Sequence, residues 1–303
     1  MNLPARLIEF ESKKTTCRGL YFAPESEALS RTCGAPCVVM GHGFGGTIEA
    51  GLIPFAEQYA RAGCHVVLFD YRHFGFSDGV PRQLLSIRRQ LEDWTSAIAF
   101  ARMREGVDSN RIALMGTSFS GGHVVVAAVR DGKIAAVISQ CPMMDGTLAL
   151  LNAIEYAGLR YLMRAMHCGI RDAFRSLIGR PPLMLPIVGP PGSLAAMTTP
   201  DAESGYYAIA PPNFRNEVCA RIALTIAQYR PGRRAKYLPC PILIQVCELD
   251  AVAPPKAAEV AARQAGGRAN IRRYPIGHFD VYVGDAFDQS VHDQVEFLLQ
   301  ILS

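Results

Sequence analysis

Hydrophobic and polar positions along the chain follow two patterns. From Ile8 to Phe22 they alternate on either side of Lys13-Lys14-Thr15-Thr16, which predicts a short antiparallel hairpin. Beyond it the alternation stops. Cys37–Met40, His65–Asp70, Arg111–Gly116, Ala135–Gln140 and Pro241–Asp250 are short, continuous apolar runs, the pattern of strands buried on both faces. Stretches with helical spacing lie between most of them: Ile48–Ala62, Leu84–Arg104, Phe119–Arg130, and later Lys256–Ala265 and Phe287–Ile301. Strand and helix in alternation predict right-handed crossovers and a mostly parallel sheet flanked by helices, an α/β fold.

One interval breaks the alternation. Between Gly146 and Leu238 no strand-like run occurs; helical spacing continues through Ile170, a Pro-rich passage follows, and Asn216–Tyr229 again has helical spacing. So long a stretch without sheet partners is read as an inserted helical lid rather than a loop. The expected organisation is therefore a core of residues 1–145 and 239–303, with a lid over residues 146–238.

Composition changes this picture only at the margins. The 303 residues carry a net charge of +4 with 50% apolar positions, so disorder is out; with no long Lys/Arg run or basic-aromatic array, nucleic acid is not an expected partner. The charge is unevenly spread: residues 146–238 hold eleven Lys/Arg against five Asp/Glu, leaving the rest of the chain at −2. Nine cysteines, an odd number scattered without metal-ligand spacing, predict a reduced, cytoplasmic protein with no metal site. No transmembrane segment or apolar leader core is expected.

The chemistry is concentrated after two of the buried strands. Arg111–Gly116 runs into Gly116-Thr117-Ser118-Phe119-Ser120-Gly121-Gly122 and then a helix. A serine on so sharp a strand-to-helix turn has its hydroxyl held clear of the sheet, with the helix N-terminal N–H groups aimed at it. Such a turn requires small residues two positions to either side. Gly116 and Ser120 meet this for Ser118; Ser118 and Gly122 meet it for Ser120, but the strand length favours Ser118. Upstream, Gly41-His42-Gly43-Phe44-Gly45-Gly46 follows the run ending at Met40, and its backbone N–H groups are placed to form an oxyanion hole with that of Phe119.

On these motifs, and on Asp70-Tyr71-Arg72 followed by Phe74-Gly75-Phe76-Ser77, the chain resembles the α/β-hydrolase superfamily, close to its esterase, lipase-like and acyl-peptidase-like serine hydrolases. The resemblance covers nearly all of the chain except the lid. It implies a triad in the order Ser, acid, His: Ser118, then Asp250, then His278 in Pro275-Ile276-Gly277-His278. Asp145 is a rival acid and Glu248 a weaker one. With Phe44 and Phe119 as oxyanion-hole donors, the expected reaction is cofactor-independent cleavage of a small-molecule carboxylic ester. Thioester hydrolysis, peptidase activity and acyl transfer use the same triad, and a non-catalytic ligand-binding relative is the alternative from another class. Haloalkane dehalogenation is disfavoured because the elbow carries Ser rather than Asp.

The remaining candidates have simpler readings. His42 organises the oxyanion loop, His65, His73, His123, His167 and His292 are structural, and Asp70 pairs with Arg72. Arg160, Arg164, Arg171 and Arg175 share one helical face, either solvated or steering anionic substrates. Homo-oligomer formation is left open.

Overall fold

The computed structural model describes residues 3–303; Met1 and Asn2, at the start of the stretch read as lacking a leader core, lie outside the described residues. Eight strands form one sheet: β1 (Arg6–Ser12), β2 (Thr15–Phe22), β3 (Ala35–Gly41), β4 (His65–Phe69), β5 (Val107–Thr117), β6 (Ala136–Gln140), β9 (Ile242–Cys247) and β10 (Ala269–Tyr274). Their spatial order is β1-β2-β4-β3-β5-β6-β9-β10. β1 and β2 are the predicted hairpin, paired from Arg6↔Tyr21 to Ser12↔Thr15 through a two-residue turn in which Lys13 and Lys14 both take positive φ. β2 runs antiparallel to β4, and all later neighbours are parallel.

Helices cover both faces of the sheet, which explains the continuous apolar runs. Val39, Leu114 and Ile244 point into a core shared with Trp94 of α2 (Ile87–Arg102) and Val124 of α3 (Phe119–Asp131), against which α6 (Pro255–Ala265) also packs. Their neighbours Val38, Met115 and Leu243 point the other way, toward Phe55 of α1 (Ile53–Arg61) and Leu298 of α7 (Gly284–Leu302). The strand order reverses direction at β3, between β4 and β5. Crossovers diverge there, leaving a crevice at the carboxyl ends of β3 and β5, the place where open α/β sheets bind ligands.

Residues 146–238 add no strand to this sheet. They begin with α4 (Gly146–Leu177), capped by the Asp145 carboxylate and interrupted at Gly158, where φ is 79° and ψ is 168°. They also contain α5 (Ala202–Ile209) and a two-stranded ribbon, β7 (Met184–Leu185) with β8 (Val218–Cys219), in a stretch expected to lack strands. The helix expected over Asn216–Tyr229 is not formed; β8 is followed by 3-10 turns at Ala220–Leu224 and Ile226–Gln228. The cause is tertiary: Asp172 accepts hydrogen bonds from the Arg221 guanidinium, the Arg221 amide and the Leu183 amide, pinning the chain where a helix would have to begin.

Other boundaries move for local reasons. α1 starts at Ile53 rather than Ile48, because the Ile48 amide binds Asp70, Gly51 has φ +73° and Pro54 is favourable in a first turn. β9 ends at Cys247, so Asp250 lies in the turn beyond the strand instead of closing it. Among the described residues no helix is long and apolar enough to cross a membrane.

Candidate active site

β5 runs straight into α3, and the junction is Ser118, with φ 55° and ψ −117°. Such a conformation is costly for a residue with a Cβ and persists only where the surroundings impose it. Here the Ser118 amide donates to Gln140 O (2.8 Å), and its carbonyl accepts from the Gly121 and Met143 amides (3.0 and 2.9 Å). Gly116 is required two positions earlier: a Cβ there would lie 2.2 Å from Ser120 O. Two positions later Ser120 is fully buried, and its hydroxyl bonds to the Tyr71 phenol, which also accepts from Trp94 Nε1 at 2.7 Å. Of the two serines left open by the motif, only Ser118 faces a histidine.

That histidine is His278, whose Nε2 is 3.0 Å from Ser118 Oγ. Its Nδ1 is 2.5 Å from Asp250 Oδ2, while Asp250 Oδ1 accepts from the Val252 and Ala253 amides at 2.8 and 2.6 Å. The carboxylate therefore holds the proton on Nδ1, and Nε2 is left to accept the Ser118 hydroxyl proton. Burial alone would lower the His278 pKa, but the adjacent Asp250 carboxylate, reinforced by Cys141 and Asp201, outweighs it and pushes the value up to about 9. Asp145, the rival acid, is occupied elsewhere: Oδ1 caps α4 through the Thr147 and Leu148 amides, with Arg230 3.6 Å away. Glu248 is exposed.

The loop after β3 closes over the same point. Gly43 comes so near that a Cβ on it would sit 3.1 Å from Ser118 Cβ. The His42 ring shapes the loop: Nδ1 donates to Gly43 O (3.0 Å) and Nε2 accepts from the Tyr71 amide (3.5 Å). Burial drives its pKa down to about 4, so the imidazole is neutral although Asp70 Oδ1 is 3.7 Å away. Among the described residues, neither the Phe44 nor the Phe119 amide has an internal hydrogen-bond acceptor. Both residues line the pocket that contains Ser118, and their rings meet edge to face at 5.6 Å. Two unclaimed N–H groups beside a hydroxyl, one of them opening a helix, can stabilise an oxyanion.

Two cavities meet at Ser118. One, about 120 Å³, is walled by side chains such as Met143, Leu150, Leu162, Leu185, Met197 and Ile226, and among the described residues no charged one lines it. The other, about 30 Å³, lies between Ser118, His278, Gly46, Tyr206 and Tyr282. Since a water needs roughly 10–15 Å³ of such space, the second has room for one beside the imidazole.

Several of these residues carry no sequence signal. Tyr206, on the short helix α5, donates to Phe44 O at 3.0 Å and so braces the loop. Thr117 bonds to the Tyr282 phenol at the other edge of the small cavity. The expected Asp70–Arg72 pair is not formed. Asp70 accepts from the Ile48 and Phe76 amides (both 2.9 Å), and a Cβ at Gly75 would strike its carboxylate. Arg72 instead binds Asp93 and Glu92 of α2. His123 is buried between Tyr229 OH (2.6 Å) and Gln90 Oε1 (3.0 Å), His65 binds Tyr21 OH and Gly106 O, His73 contacts Pro81 O, and His167 and His292 are exposed. Arg160, Arg164 and Arg171 are exposed on α4, whereas Arg175 folds back to donate to Pro181 O.

Comparison with known proteins agrees with this fold. Residues 34–278 match the family described as serine aminopeptidase, S33. The quorum-quenching protein AidA of Acinetobacter baumannii is 42% identical over 301 residues, spanning 97% of this chain and 94% of that protein. Thiohydrolase aneE of Aspergillus aculeatus is 26% identical, covering 88% of this chain and 86% of its own length. Among solved structures, the α/β hydrolase GrgF from Penicillium superposes with a TM-score of 0.81 at 23% identity, over 99% of both chains. A monoacylglycerol lipase from Paleococcus ferrophilus superposes with a TM-score of 0.66 at 18% identity, over 99% of this chain and all of that one.

Proposed function

The chain belongs to the serine aminopeptidase S33 family of α/β-hydrolases, and on that premise we propose that it cleaves carboxylic esters of short acyl chains through an acyl-enzyme on Ser118. The observation that carries this reading is the hydrogen-bonded line from Ser118 Oγ through His278 to Asp250 at the strained end of β5. Ser118 Oγ attacks the acyl carbon as His278 Nε2 takes its proton, and Asp250 stabilises the imidazolium. The negative charge on the carbonyl oxygen is met by the Phe44 and Phe119 amides; a donor in that position contributes about 3–4 kcal/mol to the transition state. His278 then protonates the leaving alkoxide. A water in the small cavity loses its proton to the same nitrogen, attacks the acyl-enzyme and frees the acid.

Pocket size and polarity support the substrate class. An apolar cavity of about 150 Å³ accommodates a benzene-sized group, so a pocket of about 120 Å³ takes an acyl chain of only a few carbons without rearrangement. With no charged group on its wall, it offers nothing to a free α-ammonium, which disfavours an aminopeptidase. Residues 146–238, which supply much of that wall, act as a cap that selects the acyl group. The similarity to a quorum-quenching protein makes a diffusible signal with an ester linkage a natural candidate, and the similarity to a thiohydrolase keeps thioesters as a second reading.

A panel of p-nitrophenyl esters from acetate to dodecanoate, beside an acyl lactone, an acyl thioester and an amino-acid p-nitroanilide, tests this. The account expects greatest turnover on a linear or cyclic ester of a short acid. Hydrolysis of the anilide alone would refute it.

A further inference from the structure

On the far side of one wall of the acyl pocket the chain forms a second, larger concavity of about 1070 Å³. The 3-10 turns after β8 separate the two: Ala223 and Ile226 face the acyl pocket, Leu224 and Thr225 the concavity. Its polar lining is one-sided. Arg89 of α2, Arg130 at the end of α3, and Arg233, Arg234 and Lys236 from the turn after Pro231 converge on it, and among the described residues none has a carboxylate within ion-pair distance. Three further arginines on its wall already have an acidic partner nearby: Arg88 with Glu92, Arg221 with Asp172 and Arg230 with Asp145. Among the described residues no Asp or Glu lines the cleft itself.

Eight cations from separate elements around one concave space repel one another, and their field is focused by the low-dielectric walls. A flat charged surface would let each side chain turn away into water; here the backbone brings them together. We infer that this cleft binds a small molecule bearing a diphosphate group, of nucleotide or coenzyme size. The guanidinium groups offer paired N–H donors matched to phosphate oxygens, and Lys236 adds a point charge next to the Tyr237 ring, 4.9 Å from its centroid. A volume of about 1070 Å³ is at the upper end of small-molecule sites and exceeds what inorganic phosphate needs. The five cations without a carboxylate partner, of which Arg89 donates to His73 Nε2 at 2.9 Å, are where the positive charge of residues 146–238 and their neighbours is gathered for a ligand, not the basic face of α4.

The test is titration calorimetry on the full chain with inorganic pyrophosphate, ADP, coenzyme A and hexaglutamate, repeated on the variant carrying both Arg233→Glu and Arg234→Glu. Both positions are exposed and lie outside the proposed catalytic machinery, so hydrolysis of an uncharged p-nitrophenyl ester by the variant should stay within twofold of wild type, confirming that it folds. Saturable one-to-one binding of pyrophosphate, ADP or coenzyme A below 100 µM at roughly 0.15 M salt, weakened at least tenfold in the variant, supports the inference. Tighter binding of ADP or coenzyme A than of pyrophosphate identifies a nucleotide as the source of the diphosphate; equal binding identifies the diphosphate alone. Absence of saturation by 5 mM, equal affinity in the variant, or tighter binding of hexaglutamate than of all three phosphates overturns it. Because binding is read directly, the result stands whether or not Ser118 proves to be the nucleophile.

Discussion

The hydroxyl of Ser120 is bonded to the phenol of Tyr71 inside the protein, two residues beyond Ser118, whose own hydroxyl points to His278. On the proposed mechanism Ser120 does not compete for the substrate, because its hydroxyl is taken up by a buried phenol. Ser120→Ala should keep esterase turnover within a few-fold of wild type and lower unfolding free energy by about 1 kcal/mol, the usual net contribution of one hydrogen bond. Urea unfolding alongside a turnover assay checks both halves, and a loss of turnover with unchanged stability would return Ser120 to the list of nucleophiles.

The two candidate acids separate cleanly. Asp250→Asn leaves the geometry but removes the charge that fixes the His278 tautomer, so kcat should fall by about 10⁴-fold, as for other triads. Asp145→Asn should change kcat little, since an asparagine still caps α4; Asp145→Ala should cost about 1 kcal/mol of stability. Steady-state kinetics of the two asparagine variants and urea unfolding of Asp145→Ala read this directly.

For pH dependence, the sign follows from the His278–Asp250 pair. The folded-state pKa of His278 is raised, to about 9, above the ordinary value of 6.5. The pair's contribution to stability is therefore complete below pH 6.5 and is lost as pH rises through about 9. Catalysis needs the unprotonated ring and runs the opposite way: kcat/KM should climb between pH 6.5 and 9. In Asp250→Asn, burial acts without the opposing carboxylate, so the midpoint of the residual activity should move below that of wild type.

Shortening the apolar pocket should alter selectivity and leave the chemistry alone. Ala149 lies on its wall, and Ala149→Leu should reduce kcat/KM for p-nitrophenyl hexanoate at least tenfold while the acetate stays within threefold. The tenfold loss on the hexanoate corresponds to roughly 1.4 kcal/mol or more of acyl-chain binding. Parallel losses on both esters would mean that the chain binds elsewhere.

Much of this is legible in the sequence. Strands buried on both faces write continuous apolar runs, the strand-to-helix turn at Ser118 and the glycine-rich loop after Met40 follow such runs directly, and the resemblance to α/β-hydrolases supplies the order Ser, acid, His that points to Ser118, Asp250 and His278. What escaped depended on partners distant in the chain. Asn216–Tyr229 has helical spacing, yet Asp172, 49 residues before Arg221, holds its start in another conformation. Arg72 finds Asp93 on α2 rather than Asp70 two residues away, because the Asp70 carboxylate is already held by the Ile48 and Phe76 amides. Tyr206, which braces Phe44 from α5, belongs to no motif. The basic cleft was visible only as a charge excess, since its cations come from elements that the fold alone brings together.

The central claim is an acyl-enzyme on Ser118, and the most direct measurement is mass spectrometry of the protein after reaction with a fluorophosphonate or a slowly turned-over p-nitrophenyl ester. One adduct per chain is expected, mapped by fragmentation to Ser118 itself and absent from Ser118→Ala. An adduct that maps to Ser120, or ester turnover in Ser118→Ala at the wild-type rate, would contradict it.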